Sequence, residues 1–314
     1  MGRTRHSPER GVGNRIGAMN ALAPWLGVAR APFLLLPFTL VAAGAAAAAY
    51  EGSFGWGATL LALVGLVLLH ASVNALNEAS DMATGIDLRT TRTPFSGGSG
   101  TLPAGLLSVR ATRVFAYGCA VVGGLIGGWF ALRLGATFAL LMAAGAACVL
   151  FYSDLFARTG LGELFAGLGL GALPVWGAAW VQGQPPGRGA LWAGVPAFFM
   201  TFDLLLLNEF PDEEADRAGG RKNLVLMLGR KGAALVYAAA AASAPLAIVA
   251  AVALEALPAP ALAAVVPSVL LARPLLWALG DTRQPVPVSA LGANVAWNLA
   301  TNAVLGLALA VAAR

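Results

Sequence analysis

The chain has 314 residues, 58% of them hydrophobic and only 11% charged, whereas a soluble domain carries roughly 25% charged residues. Despite a net charge of +5, this balance excludes a soluble globular enzyme and gives no expectation of a nucleic-acid partner. It describes a protein whose solvent is membrane lipid.

The 39 glycines provide small surfaces that let helices approach closely in lipid, so a packed bundle is expected and not a set of separate anchors. Cys119 and Cys148 both sit inside apolar runs, and neither a disulfide framework nor a CxxC metal site can be read from them.

In chain order, the first twenty residues hold Arg3, Arg5, Arg10 and Arg15 with no apolar core or cleavage site. Residues 1–24 are therefore expected to form a basic flexible arm and not a cleaved signal peptide. Residues 25–314 are expected to form one all-α membrane domain. A crossing helix needs about 20 mostly apolar residues, and nine stretches qualify, near 31–50, 57–81, 112–132, 134–153, 161–181, 190–211, 232–254, 259–279 and 289–312.

The second stretch ends on NEASD, Asn77 to Asp81, and the sixth on NEFPD, Asn208 to Asp212. On a helix, residues three and four apart share a face. His70, Asn74, Asn77 and Asp81 then line one stripe, and Asn208, Asp212 and Asp216 another. Gly85 is expected to unwind the first helix and bring Asp87 round from the loop.

Lys and Arg fall in the even-numbered loops and the N-terminal arm, 17 of 20, leaving Arg133, Arg188 and Arg314 for the other face. By the positive-inside rule this predicts an integral plasma-membrane protein with its N-terminus and both acidic words at the cytoplasmic side and its C-terminus outside. Twelve of the 15 Asp and Glu crowd the same side, which orientation alone does not require.

A carboxylate at the bilayer centre costs about 2.5–3.5 kcal/mol on insertion scales, and such residues mark functional paths. Facing carboxylates repel one another. Mg²⁺ resolves the conflict, because it takes oxygen ligands and is held by one or two carboxylates together with substrate phosphates. Cations follow each word: Arg89 and Arg92 ahead of the Gly/Ser-rich loop 96–105, then Arg217, Arg221 and Lys222. The expectation is two acidic clusters holding Mg²⁺ against a phosphorylated substrate, with backbone N–H groups of the Gly-rich loop as an anion nest.

These residues resemble the UbiA superfamily of intramembrane prenyltransferases, which have nine helices and Asp-rich motifs on the second and sixth. The spacing Asn77, Asp81, Gly85, Asp87 is similar to the MenA branch, which prenylates 1,4-dihydroxy-2-naphthoate on the way to menaquinone. DEEADRAGGRKNLVLMLG from Asp212 looks like that branch's second motif, and YSDLFARTGLGE, Tyr152 to Glu163, resembles the family's tyrosine-containing loop. Glu78 stands where Asp is usual.

The resemblance implies Mg²⁺-assisted transfer of a prenyl group from an allylic polyprenyl diphosphate to an aromatic acceptor, with release of diphosphate. It implies one metal cluster at Asn77, Asp81 and Asp87, another at Asn208, Asp212 and Asp216, and diphosphate contacts from Arg92, Arg158, Arg221 and Lys222. Tyr152 is implied to hydrogen-bond the diphosphate or face the allylic cation, as Trp176 or Phe202 would if they are not packing residues. Asp203 is a candidate for orienting or deprotonating the acceptor, the alternative being a carboxyl bonded to a neighbouring helix. His70 and Asn74 are cavity candidates.

Other readings are another acceptor, such as 4-hydroxybenzoate or homogentisate, or a membrane transporter. The D-G-x-x-A-R string of CDP-alcohol phosphotransferases does not occur. A transporter fits less well, because both acidic words lie at one interface and not at the midplane, where transporters bind substrate.

Overall fold

The computed structural model describes residues 21–313, whose regular elements are all helices, with no strand among them. Residues 1–20 of the expected arm lie outside the described residues, and residues 21–24 belong to a short helix, 21–28. The long elements are α1 (Ala31–Tyr50), α2 (Trp56–Thr84), α3 (Val109–Leu134), α4 (Ala136–Leu150, bent by 61° into Tyr152–Thr159), α5 (162–180), α6 (Arg188–Glu209), α7 (Leu224–Ala253), α8 (Ala259–Ala278) and α9 (Val288–Ala312).

Seven of these are continuous and apolar enough to cross a membrane, and the bent pair at α4 makes an eighth such stretch. The expected stretch 161–181 is not one regular helix. It is Gly162–Gly167, a π-helical turn Leu168–Ala172 and Leu173–Trp180. A count of nine regular spanning helices is therefore not what the fold displays. The many apolar helices make this an integral membrane protein.

Local chemistry explains several of the breaks. Gly229 takes a non-helical conformation with positive φ (70°) inside α7, which starts at Leu224, whereas the apolar stretch starts at 232, after the charged Arg230 and Lys231. In α8, Pro260 and Pro267 remove backbone donors, and Ala259–Leu271 winds as a 3₁₀ helix.

Small residues set the closest approaches. A Cβ on Gly44 of α1 would lie 2.3 Å from the Val175 carbonyl of α5, and one on Gly171 of α5 would lie 2.4 Å from the Ala197 carbonyl of α6. Backbone contact at these crossings is the packing expected where lipid removes the hydrophobic drive between helices.

One apolar cluster joins α1, α5, α6, α7 and α9 through Leu40, Val175, Ala193, Ile248 and Leu305. A second joins α6 to α9 through Met200, Phe210, Tyr237 and Trp297. Helices α1 to α5 together line a cavity of about 100 Å³ whose walls include Gly65, Gly127, Phe138, Met142 and Gly169.

α2 has 29 residues, a length of about 43 Å at 1.5 Å per residue, against a hydrocarbon thickness of about 30 Å. Its first residue, Trp56, is exposed and packs edge-on with Phe54, as interfacial aromatic residues do. The last turns, with Asn77 and Asp81, therefore project past the apolar layer at the opposite end.

Candidate active site

α2 stops because Gly85 adopts the left-handed conformation (φ 77°) and its N–H returns to the Asp81 and Met82 carbonyls. The Ile86 N–H also donates to the Asp81 carbonyl at 2.9 Å. The reversed chain buries Asp87 at 2% exposure beside Asp81 and Glu78, as the position of Gly85 predicts.

α6 ends at Glu209, and Asp212 does not continue its face. Pro211 has no N–H with which to continue the helical ladder, although Phe210 before it keeps helical dihedrals (φ −62°, ψ −42°). The chain turns, and Asp212 starts a separate short helix, Glu213–Ala218, whose Asp216 N–H donates to the Asp212 carbonyl at 2.8 Å. The expected single stripe is thereby corrected: Asn208 belongs to α6, Asp212 and Asp216 to the short helix.

Arg221 joins the two words. Its Nη2 donates to Asp81 Oδ1 at 2.5 Å, and its Nε lies 3.6 Å from Asp216 Oδ1. With its amide oxygen turned toward the guanidinium, Asn77 accepts from Arg221 and donates to Asp81 Oδ2 at 3.3 Å. The loop after α2 reaches the second word: the Thr90 hydroxyl donates to Asp212 Oδ1, and the Gly97 N–H to Asp212 Oδ2 at 3.1 Å.

Asn223 donates to Asp216 at 2.9 Å while its Oδ1 caps α7 at the Leu226 N–H. Glu163 accepts from the Leu224 N–H at 2.6 Å, tying the Tyr152–Glu163 segment to the same end. Tyr152 is buried and faces the charges of Arg221, Glu209, Glu163 and Asp81.

Negative charge exceeds positive charge in this cluster. Burial, then the charges of Asp81 and Glu78, push the Asp87 carboxyl up to about 8. Burial raises Asp216 to about 7 against the pull of Arg221, and it raises Asp212 against the Thr90 hydrogen bond. Burial disfavours the Arg221 cation, but Asp81 and Asp216 outweigh it and hold its pKa well above the ordinary value.

The donor set suits a hard divalent cation, being oxygen only, and Asp87 Oδ2 and Asn208 Oδ1 are buried without a hydrogen-bond partner. Among the described residues no three His, Cys, Asp or Glu side chains converge on a metal-sized point. The arrangement thus fits a cation shared with substrate oxygens and not a closed protein cage.

The remaining expectations divide. The guanidinium of Arg92 donates to the Asp87 backbone carbonyl at 2.9 Å, and that of Arg158 to the Gly219 carbonyl at 3.4 Å, so both border the cluster. Lys222 is exposed, and its backbone N–H bonds the Ala157 carbonyl.

Asn74 is not a cavity residue, because its amide donates to the Ala29 carbonyl at 2.9 Å and ties α2 to the start of α1. His70 does line the α1–α5 cavity. Trp176 is committed to the Leu191 carbonyl near the start of α6. Asp203 is fully buried where α6 meets α7 and α9: its backbone carbonyl accepts from Asn294, whose Oδ1 accepts from the Tyr237 hydroxyl. It stands nine residues before Asp212, and the fold does not bring it into the cluster.

Sequence reasoning missed four anchors, namely Arg30, Glu78, Thr90 and Asn223. Arg30 is a non-glycine residue at φ 51° whose guanidinium donates to the Phe95 carbonyl at 3.2 Å. Nothing in its local sequence signals that reach across the fold.

An all-helical membrane bundle with two acidic motifs joined at one end defines the class. The chain belongs to the UbiA prenyltransferase family, whose model matches residues 35–299. A curated relative, the 1,4-dihydroxy-2-naphthoate octaprenyltransferase of Bacillus subtilis (strain 168), is 27% identical over 187 residues, 57% of this chain and 58% of the relative. The alignment thus spans little more than half of either protein.

The fold is similar to that of a UbiA homologue from Aeropyrum pernix K1 (TM-score 0.62, 20% identity, covering 88% of this chain and 97% of that one). It is also similar to that of a UbiA homologue from Archaeoglobus fulgidus solved with GPP and Mg²⁺ (TM-score 0.60, 17% identity, 92% and 99% covered).

Proposed function

We propose that this protein transfers a prenyl group from an allylic polyprenyl diphosphate to an aromatic acceptor of the quinone-precursor type, with 1,4-dihydroxy-2-naphthoate as first choice. The observation that carries this reading is the pairing of Arg221, from the second motif, with Asp81 of the first. The same loop that follows Asp81 hydrogen-bonds Asp212, so both motifs can address one ligand. The matched family and the naphthoate-prenylating relative support the choice of chemistry.

We read the chain as one membrane domain of nine crossings, with the interrupted α5 as one of them. The N-terminus and motif end face the cytoplasm, and the C-terminus faces outside.

Asn77, Asp81 and Asp87 would hold Mg²⁺ on one side of the site and Asn208, Asp212 and Asp216 on the other, where the metal neutralises charge on the leaving diphosphate and orients it. Arg221, Arg92, Arg158 and Lys222 bind the same anion. The allylic C–O bond breaks with its electron pair going to diphosphate. An electron-rich ring carbon of the acceptor then forms the new C–C bond and loses its proton.

Tyr152 would donate its O–H to the diphosphate or offer its ring to the cation, an interaction of roughly 0.5–2 kcal/mol. The surrounding apolar helices exclude water that would quench the cation.

Purified protein in detergent, incubated with Mg²⁺, geranylgeranyl diphosphate and a panel of aromatic acids, should yield a prenylated product by mass spectrometry, and EDTA should abolish it. Product with hydroxybenzoate or homogentisate alone would replace the acceptor assignment. No product with any acid and any donor length would sink the reading.

A further inference from the structure

Glu78, near the end of α2, spends both carboxylate oxygens on one residue of the loop that follows it. It is 1% exposed. Its Oε1 accepts the Ser99 backbone N–H at 2.6 Å, and its Oε2 accepts the Ser99 hydroxyl at 2.7 Å. These two hydrogen bonds tie the loop to α2. An aspartate, one methylene shorter, would not reach Ser99 from the same backbone position.

The turn so held is shaped for close approach. Gly97, Gly98 and Gly100 all adopt left-handed conformations, with φ of 80°, 71° and 79°. At Gly98 a Cβ would stand 2.7 Å from Asp87 Oδ1. Gly97 reaches Asp212 through its N–H, and the Thr101 N–H donates to Ser99 Oγ at 3.2 Å. The turn 96–100 therefore lies across Glu78, Asp87 and Asp212, carboxylates of both motifs, and its connection into α2 runs through Glu78.

We propose that Glu78 is a positioning residue: by gripping Ser99 it seats the 96–100 turn over the joined motifs, so that the Gly98 and Gly100 N–H groups close on the anionic head of the substrate. The inference rests on the prenyl diphosphate reading above and assigns Glu78 to the loop, separate from the metal-holding carboxylates.

The test compares wild type with Glu78→Ala, Glu78→Asp, Ser99→Ala and the Glu78→Ala/Ser99→Ala double variant. Three readouts are taken: amide hydrogen exchange across 93–101 in the resting protein, Mn²⁺ binding in the presence of inorganic diphosphate, and KM for geranylgeranyl diphosphate against kcat. Each single variant should speed exchange in the turn and raise KM by about tenfold, the weight of one charged hydrogen bond. Mn²⁺ binding should hold within about twofold. The double variant should match the singles, because partners in one interaction are not additive.

Loss of Mn²⁺ binding in Glu78→Ala with Ser99→Ala unchanged would make Glu78 a metal ligand and overturn the proposal, as would unaltered exchange in the turn. Should Glu78→Ala not fold, Ser99→Ala decides, and wild-type exchange and KM there would overturn it. A wild type without prenyl transfer would sink the functional reading while leaving the exchange and Mn²⁺ tests interpretable.

Discussion

Arg221 sits between Asp81 and Asp216 with 9% of its side chain exposed. Removing one partner of a buried ion pair leaves the other charge uncompensated and costs about 3–5 kcal/mol. Arg221→Ala should therefore lower the unfolding temperature as well as activity. Arg221→Lys keeps the charge but not the planar fork. Losing one charged hydrogen bond, about 1.5–3 kcal/mol, predicts a fall in kcat/KM of roughly 10- to 100-fold with a smaller thermal shift, readable by paired kinetics and thermal melts.

The acidic residues predict a pH dependence at the same scale. Asp87 at about 8 and Asp216 at about 7 hold protons that the unfolded chain releases near 3.8. Between those limits the folded state binds more protons than the unfolded state, so stability falls as pH rises. In EDTA the melting temperature should drop between pH 5 and 8, and saturating Mg²⁺ should reverse the drop; a flat profile in EDTA would contradict the electrostatics.

The pair Asp81 and Asp212 was legible in the repeated N-E-x-x-D word. That Arg221, of the three cations in RAGGRKN, would stand between Asp81 and Asp216 was not, because its position depends on the short helix that follows Pro211. Which helices Asn74 and Asp203 would face was not legible for a related reason. Helical periodicity names a face but not the neighbour that will occupy it.

At the scale of elements, the stretches read from hydropathy match the observed helices closely at most ends, since burial in lipid demands about 20 apolar residues wherever a helix crosses. Irregularities within them are another matter. The π-helical turns at Tyr152–Phe156 and Leu168–Ala172 are tertiary fits with no local signal, whereas Gly229 and Pro211 are breaks that residue type announces.

Close crossings yield a direct test. Gly44→Ala would bring a methyl to 2.3 Å from the Val175 carbonyl, so α1 and α5 must separate. Overpacking of this kind typically costs about 1–3 kcal/mol, and the loss should appear as a lower melting temperature in detergent with KM for the donor changed less.

For the molecule as a whole, the charge map marked the end of the bundle where the two acidic motifs meet, because carboxylates gather there beyond what orientation demands. The partition between first and second motif was also visible. Their union was not, since loop 88–108 crosses from one motif to the other through contacts more than a hundred residues apart, such as Gly97 to Asp212.

The surplus length of α2 has a further bearing. With about 43 Å of helix crossing about 30 Å of oil, the height at which Asp81 rides above the acyl chains depends on the host lipid. Mismatch is taken up by tilt at a fraction of a kcal/mol per Å. Nanodiscs of increasing acyl length should therefore draw the acidic rim toward the oil and slow turnover progressively, so that lipid thickness would act as a dial on activity.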